Sequence, residues 1–325
     1  MPDSHSAAHP EAWKGYALAT LAAVFWATGG LVAKWLFSPL DGSTAQWPVP
    51  PLGLEADPAV LAGARACSAA IILLVYVALT RRDRLRISVG DIWFLAVFGT
   101  VGLAGLHVSY FFAIAHANVA TAVLLEYLAP VLVLGVSVAF LGERFTWALP
   151  AGVVLSVLGC ALVVGAFGPG GLAVSPRGLA WGLTAAAFFA FYQLMGRWAA
   201  RRFSPWTLLT YGLLAASVFW VLYLGGPSSM FALVSTGGGA AAVVYVAVMS
   251  TIIPFAASLK ALHYIDATKA VITSTLEPVI AGAIAWVMLA ESFDALQMLG
   301  GGLVLVAIAL VQRAERRVTP LPPAV

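Results

Sequence analysis

Ten apolar stretches of about twenty residues each follow one another along this 325-residue chain. A helix of about 20 apolar residues is long enough to cross the hydrocarbon core of a bilayer. Helices satisfy their own backbone hydrogen bonds, which lipid requires, and the stretches lack the alternating pattern of a membrane β-strand. The sequence therefore predicts an all-α, polytopic membrane protein with ten transmembrane helices. The ten stretches are residues 15–37, 58–80, 90–113, 118–140, 146–167, 177–198, 205–225, 239–263, 267–290 and 294–312.

The composition excludes several classes of protein. Apolar residues make up 62% of the chain and charged residues 10%, which is unlike a soluble globular enzyme or a disordered chain. The net charge of +3 is too small to indicate nucleic-acid binding. The two cysteines, Cys67 and Cys160, lie in apolar runs without metal-type spacing. We therefore predict no metal site and no cofactor.

The basic residues predict the orientation of the helices. Cytoplasmic segments of membrane proteins carry an excess of Lys and Arg. If the N-terminus is cytoplasmic, 12 of the 17 basic residues fall in cytoplasmic segments or helix ends, one (Arg177) falls outside, and four lie within spans or near their ends. Residues 1–12 contain no Lys or Arg, so we expect no cleavable signal peptide. Both termini are therefore expected in the cytoplasm, with the chain in a bacterial-type inner membrane.

The chain contains an internal repeat. Pro130 and Glu143 recur as Pro278 and Glu291 at equal spacing. The related segments are 14–35 with 177–198, at an offset of 163 residues, and 113–145 with 261–293, at an offset of 148. This pattern predicts two five-helix repeats.

The repeats divide the chain into a cytoplasmic tail (1–14), a first repeat (15–167), a second repeat (168–312) and a second tail (313–325). Because five is odd, the second repeat enters the membrane upside down relative to the first. Inverted repeats place a binding site near the midplane between the halves, and rocking of one half gives alternating access. The pattern therefore favours a secondary carrier.

The repeated segments resemble a known family. Asn118 to Glu143 reads NVATAVLLEYLAPVLVLGVSVAFLGE, and Thr268 to Glu291 reads TKAVITSTLEPVIAGAIAWVMLAE. Both resemble the fourth and ninth helices of EamA-type carriers in the drug/metabolite transporter superfamily, and Phe25-Trp26-Ala27 fits the first helix. The resemblance covers residues 15 to 312. It implies a ten-helix carrier of small metabolites, which in many members exports amino acids.

Within that family the chain is similar to the YddG-like exporters of aromatic and other neutral amino acids. It departs from them at Glu126, where those exporters carry Asn before the tyrosine that matches Tyr127. We predict a secondary transporter that exports a small molecule of this class by alternating access. A carrier of a sugar, nucleoside or drug is the alternative, and a channel or an intramembrane enzyme is the alternative of another class. We expect a monomer, with a dimer as the alternative.

Ionisable residues at membrane depth are the first candidates for a binding site, because burying them in lipid costs about 2.5–3.5 kcal/mol each on insertion scales. His107 and Glu126 lie equally far from the turn between helices 3 and 4, and Arg65 lies about 10 Å from the outer end of helix 2. The three could form a proton-coupling or amine-recognition site, with Arg65 as the partner of a substrate carboxylate. A structural ion pair joining helices 2 to 4 is the alternative. Glu277, before Pro278, is a further candidate, with a packing or hinge role as the alternative.

Aromatic and small polar residues complete the predicted site, since binding pockets combine apolar walls with a few polar groups. Core or lipid-facing packing is the alternative for each of them. Pro130, Pro254 and Pro278 are predicted hinges, with passive kinks as the alternative. The predicted substrate-binding residues are Trp26, Thr28, His107, Tyr110, Glu126, Tyr127, Phe189, Tyr192, Gln193, Tyr245, Ser250, Ser274 and Glu277.

A stripe of small residues, Gly152, Ser156 and Cys160, lies on one face of the fifth predicted helix. Such stripes let two helices approach closely. We expect packing within the chain here, with a dimer face as the alternative.

Overall fold

The computed structural model describes residues 11–37, 53, 57–116, 119–167, 175–235, 237–289 and 294–317. Throughout these ranges the secondary structure is helical, with no β-strand, so the all-α prediction is confirmed. A 3₁₀-turn lies at Arg82–Leu85, and π-helical segments lie at Phe98–Gly105 and Val248–Ile252. The α-helices are α1 (Ala12–Phe37), α2 (Pro58–Thr80), α3 (Val89–Val97), α4 (Leu106–His116), α5 (Val119–Glu126), α6 (Ala129–Phe140), α7 (Ala148–Val163), α8 (Pro176–Ala199), α9 (Pro205–Tyr223), α10 (Ser228–Val234), α11 (Gly237–Ala247), α12 (Ile253–Ala261), α13 (Ala267–Ser274), α14 (Leu276–Leu289) and α15 (Ala295–Arg317).

Seven helical rods in the described part of the chain are long and apolar enough to cross a membrane. The shorter apolar helix α7 accompanies them. The polytopic prediction is therefore confirmed. Helices also occupy the two remaining predicted spans, as α1 and as α13 with α14, but the count of ten spans stays a prediction. The seven rods are Pro58–Thr80, Val89–Ala113, Thr121–Phe140, Pro176–Ala199, Pro205–Tyr223, Gly238–Ala261 and Ala295–Ala314.

Polar caps followed by proline start three of these helices. Asp57, Ser175 and Ser204 each accept hydrogen bonds from backbone N–H groups of the first turn of α2, α8 and α9. The next residue is proline in each case, which suits the first helical position because that N–H has no partner in the helix. These dipeptides fix where the helices begin.

The breaks within helices recur at the repeat offset. α5 gives way to α6 at Tyr127 and Leu128, and α13 gives way to α14 at Thr275, which lies 148 residues after Tyr127. The π-helical segment Val248–Ile252 falls within the positions that lie 148 residues after Phe98–Gly105. The structure therefore repeats its irregular backbone, and not only its sequence, in both halves.

Each predicted hinge proline lies beside one of these irregular segments. Pro130 and Pro278 fall in the first turns of α6 and α14, and Pro254 follows the π-helical segment Val248–Ile252. Proline lacks the N–H that continues the helical ladder and its ring clashes with the carbonyl four residues earlier. The prolines thus account for local breaks, while hinge motion at them stays a prediction.

The fifth predicted helix ends earlier than expected. α7 stops at Val163 because Gly165 adopts a left-handed φ of +72° and donates its N–H to the carbonyl of Leu162. Glycine adopts this conformation without the steric cost of a side chain, which is why it commonly ends helices.

The stripe of small residues packs within the chain, against α15. A Cβ atom on Gly152 would lie 2.6 Å from Cγ2 of Val311, and one on Gly159, the neighbour of the stripe residue Cys160, would lie 2.8 Å from the carbonyl oxygen of Gly300. Both distances are shorter than real side chains allow. The stripe therefore forms an intramolecular contact between α7 and α15.

Candidate functional site

A cavity of about 370 Å³ lies between the two halves of the chain. The first half contributes residues of α1, α2, α4 and α5, and the second half contributes residues of α8, α11, α12 and α14 and of the π-helical segment before α12. The nine predicted residues that line it are Trp26, Arg65, His107, Tyr110, Glu126, Tyr127, Phe189, Ser250 and Glu277.

The cavity occupies only one half of the bundle. We call the end of the bundle that carries Arg81, Arg197, Arg201 and Arg202 the basic side. The cavity residues of α2 lie near its start, at the opposite end from Arg81, and those of α8 reach only Phe189, in the middle of the helix. The cavity thus extends from the side opposite the basic side to about the middle of the bundle.

Aromatic rings close the cavity at its inner end. Trp26 meets Phe189 and Phe255 edge to face, with ring centroids 6.3 and 5.3 Å apart. Tyr192 lies behind this layer, 5.3 Å from Phe255, and its hydroxyl donates a hydrogen bond to the Phe255 carbonyl at 3.4 Å. Edge-to-face contacts of this kind stabilise a rigid apolar floor.

Charged side chains surround the space above this floor. Glu126 and Glu277 are near enough to interact electrostatically, as are Arg65 and His107. No ion pair within 4 Å involves Arg65, Glu126 or Glu277 among the described residues. The alternative of a structural ion pair joining the predicted helices 2 to 4 is therefore not formed among the described residues.

Two of the polar side chains are held in place by hydrogen bonds. The hydroxyl of Tyr127 donates to Oε2 of Glu277 at 2.7 Å. Nδ1 of His107 lies 2.6 Å from the carbonyl oxygen of Leu103, which can only accept, so this nitrogen carries the proton. Glu277 is thus tied to the other half of the chain.

Five predicted residues lie outside the cavity wall. Thr28 donates its hydroxyl to the carbonyls of Val24 and Phe25 on its own helix. Tyr192, Gln193 and Ser274 are buried behind the wall, and Tyr245 is half-buried elsewhere on α11.

Eight further residues line the cavity without having been predicted. Phe255 has the most direct role, because it contacts Trp26, His107 and Tyr192. It lies 148 residues after His107, so the repeat offset was the signal that could have identified it. The others are Gly29, Leu61, Ala62, Leu106, Phe111, Val123 and Val246, which resemble ordinary apolar helix residues in sequence.

Polar contacts join the helices on the basic side, below the floor. Nη2 of Arg197 lies 2.8 Å from Oδ1 of Asp266, Nζ of Lys269 lies 3.0 Å from Oδ2 of Asp266, and the hydroxyl of Thr268 donates to Oε2 of Glu143 at 2.6 Å. Burial acts to raise the pKa of Asp266, but the charges of Lys269 and Arg197 outweigh it and lower the pKa. Burial raises the pKa of Glu143 to about 7, and the nearby Asp266 carboxylate acts in the same direction.

The sequence repeat pairs Glu143 with Glu291. Glu143 is 8% exposed in the turn after α6. Glu291 lies outside the described residues, as does the side chain of Lys34.

The chain is similar to known membrane transporters. The model of the EamA-like transporter family matches residues 13–165 and 176–313, which is nearly the whole chain. The uncharacterized inner membrane transporter YicL of Salmonella typhimurium is 27% identical over 69% of this chain and 74% of its own length. A probable terminal-alkyne amino-acid exporter of Streptantibioticus cattleyicolor is 28% identical over 72% of this chain and 76% of its own length.

One solved structure shares the fold over nearly the full length. This crystal structure superposes with a TM-score of 0.74 and covers 94% of this chain and 99% of its own, at 22% sequence identity. At that identity the similarity concerns the fold alone.

Proposed function

The chain belongs to the EamA-like transporter family and is a multi-pass membrane transporter rather than an enzyme; from this premise we propose that it exports a small zwitterionic metabolite, an amino acid, through the cavity between its repeats. The observation that carries the proposal is the set of charges around that cavity. A guanidinium and two carboxylates face one cavity, and no ion pair joins them among the described residues.

Arg65 is the partner of the substrate carboxylate in this proposal. A guanidinium presents a planar fork of N–H donors that matches a carboxylate, and charge-assisted hydrogen bonds of this type are stronger than neutral ones. Arg65 has no acidic partner within 4 Å in the described chain, so its charge is available to a ligand.

Glu126 is the partner of the substrate ammonium. It lines the cavity without a hydrogen-bond partner among the described residues, whereas Glu277 already accepts from the Tyr127 hydroxyl. A zwitterion between Arg65 and Glu126 would satisfy both charges at once.

The aromatic floor is the surface for the substrate's side chain. Trp26, Phe189 and Phe255 form an apolar layer at the inner end of the cavity. Neutral and aromatic side chains would bury apolar area there, which favours amino acids of this class over sugars, whose many hydroxyls would be left without partners.

The basic side is the cytoplasmic side in this proposal, because cytoplasmic segments carry the excess of Lys and Arg. The cavity then faces outward in this structure, and the contacts of Arg197, Asp266 and Lys269 close its path to the cytoplasm. Rocking of the two inverted repeats would open that path and close the outer one, which is alternating access. The ten-helix topology and both termini in the cytoplasm belong to the same proposal.

Flux of labelled substrates into proteoliposomes of the purified protein tests the proposal. A panel of threonine, methionine, phenylalanine, tryptophan, nucleosides and sugars would show saturable flux of the amino acids, reduced by unlabelled competitor. At low substrate concentration Arg65→Ala should strongly reduce that flux, while Arg201→Ala, at an exposed arginine on the basic side, should retain it. Sugar or nucleoside flux alone would overturn the choice of substrate, and flux that does not saturate would indicate a channel.

A further inference from the structure

Gln193 is a buried side chain whose polar atoms are not satisfied. Its relative exposure is 0%, and neither Nε2 nor Oε1 has a hydrogen-bond partner in the described part of the chain. Buried amides in folded proteins nearly always have hydrogen-bond partners, because a buried donor or acceptor without one is destabilising. A side chain that carries this cost in one state is a candidate for a polar contact in another state.

Helical periodicity places Gln193 on the path from the cavity to the basic side. Residues four apart on a helix lie on the same face, one above the other. Phe189, Gln193 and Arg197 therefore form one stripe along α8. Phe189 lines the cavity, and Arg197 bonds to Asp266 on the basic side. Gln193 lies between the floor of the cavity and the contacts that close it.

The closing contacts show which surfaces must separate for this path to open. Arg197 donates to the carbonyl oxygen of Leu262 and pairs with Asp266, so it fixes α8 to the connection between α12 and α13. Next to it, Gly196 packs closely on Leu259 and Leu262. In the alternating access proposed above, opening toward the basic side would separate α8 from this connection, and the stripe that contains Gln193 would then face the new space.

We infer that Gln193 is a substrate-contacting residue of the state that is open to the basic side, where its amide bonds to the polar groups of the substrate. The inference rests on the proposed function and adds a second polar contact point to it, one that is closed in this structure. Arg65 and Glu126 bind the substrate in the present cavity, above the aromatic floor. Gln193 binds it below the floor, in the state that is open to the basic side.

Substrate affinity measured separately from the two sides tests the inference. In vesicles of known sidedness, Gln193→Met, which keeps the size and removes the hydrogen bonds, should raise the KM from the basic side about tenfold. The KM from the opposite side should stay unchanged. The thermal unfolding temperature should be equal to or above that of the wild type, because an unsatisfied amide has been removed.

Thr210→Val is the matched control. Thr210 is also fully buried with an unpartnered hydroxyl, but it lies on α9, which contributes nothing to the cavity wall. Its replacement should leave both KM values unchanged. Gln193→Leu is a second variant, and a selective rise in KM from the basic side in both Gln193 variants supports the inference.

Two results would overturn it. One is unchanged KM values on both sides in a Gln193 variant that still transports, which leaves the proposed function intact. The other is a lower unfolding temperature in both variants without a selective change in KM, which makes Gln193 a purely structural residue.

Cysteine labelling gives a readout that does not depend on knowing the substrate. In a background with Cys67→Ser and Cys160→Ala, the Gln193→Cys variant should react with a membrane-impermeant maleimide from the basic side and be protected from the opposite side. Asp266→Asn should increase that labelling. Lack of reaction from the basic side in the Asp266→Asn background would overturn the inference, whereas absence of saturable flux in the wild type with labelling preserved would count against the proposed function.

Discussion

Tyr127 of the first repeat donates its hydroxyl to Oε2 of Glu277 in the second repeat, at 2.7 Å. Tyr127 lies at the break between α5 and α6, and Glu277 lies two residues after the break at Thr275 between α13 and α14. The hydrogen bond therefore joins the two repeats where both backbones are irregular. It also determines which of the two cavity carboxylates is held by the protein and which is available to a ligand.

Tyr127→Phe is expected to destabilise this structure by about 1–3 kcal/mol, because a buried acceptor on Glu277 loses its donor. Chemical or thermal unfolding in detergent measures the change. Tyr110→Phe is the control, since it removes another hydroxyl that faces the same cavity and has no hydrogen bond to Glu277 in the described residues. Equal free energies of unfolding for the two variants would show that the hydrogen bond between the repeats contributes nothing to stability.

Arg65→Ala is expected to weaken binding of an amino acid by about 10- to 100-fold, the equivalent of about 1.5–3 kcal/mol for a hydrogen bond to a charged group. Binding of the corresponding amine, which lacks the carboxylate, should change little. Competition against labelled substrate measures both affinities in the same preparation. An equal loss for the acid and the amine would show that Arg65 shapes the cavity and does not bind the carboxylate.

The sequence predicted the helices and the charged cavity residues because both depend on local patterns. Apolar runs give the helices, and an ionisable residue within such a run is confined to the protein interior or a cavity. Arg65, Glu126 and Glu277 were found in this way. The repeat offset of 148 residues also relates Phe255 to His107, so it could have identified Phe255 as a cavity residue.

The sequence could not determine which face of each helix meets the cavity. Membrane helices are apolar all round, so their periodicity does not separate the cavity wall from the layer behind it. Tyr192 and Gln193 were predicted to bind substrate, but they lie one turn beyond Phe189 toward the basic side, below the floor of the cavity, and are buried there. Thr28 was misplaced for another reason, since its hydroxyl bonds back to its own helix.

Glu143 is expected to make the protein less stable as the pH rises from about 5 to 8. Its pKa in the folded state is raised to about 7, against an ordinary value of 4.5, so between these values the folded state binds more protons than the unfolded state. Stability then falls with rising pH, by about 1.4 kcal/mol for each unit of the pKa difference once both states have ionised. Besides burial, the groups that act on it are the carboxylate of Asp266, the hydroxyls of Thr268 and Ser137 and the ammonium of Lys269.

Thermal unfolding between pH 5 and 8 measures this effect. Glu143→Gln should unfold at a higher temperature than the wild type at pH 8 and should show a smaller slope with pH. Asp83→Asn, at an exposed carboxylate near the basic side, serves as the control and should retain the wild-type slope. A wild-type stability that rises over this range would contradict the expectation.

Gly159 is expected to be the position on α7 where a single methyl group is least tolerated. Its Cβ would lie 2.7 Å from Cγ2 of Val304 and 2.8 Å from the carbonyl oxygen of Gly300, and a backbone atom cannot turn aside. Overpacking of this type costs about 1–3 kcal/mol, which exceeds the gain of about 0.5–1 kcal/mol from replacing glycine by alanine in a helix. Gly159→Ala should therefore lower the unfolding temperature. Gly302→Ala on α15 is the control, because a Cβ there meets no atom within 4 Å, so it should be neutral or slightly stabilising. If Gly159→Ala is as stable as Gly302→Ala, α7 and α15 are not in contact as described, and the small-residue stripe is free to serve as a dimer face.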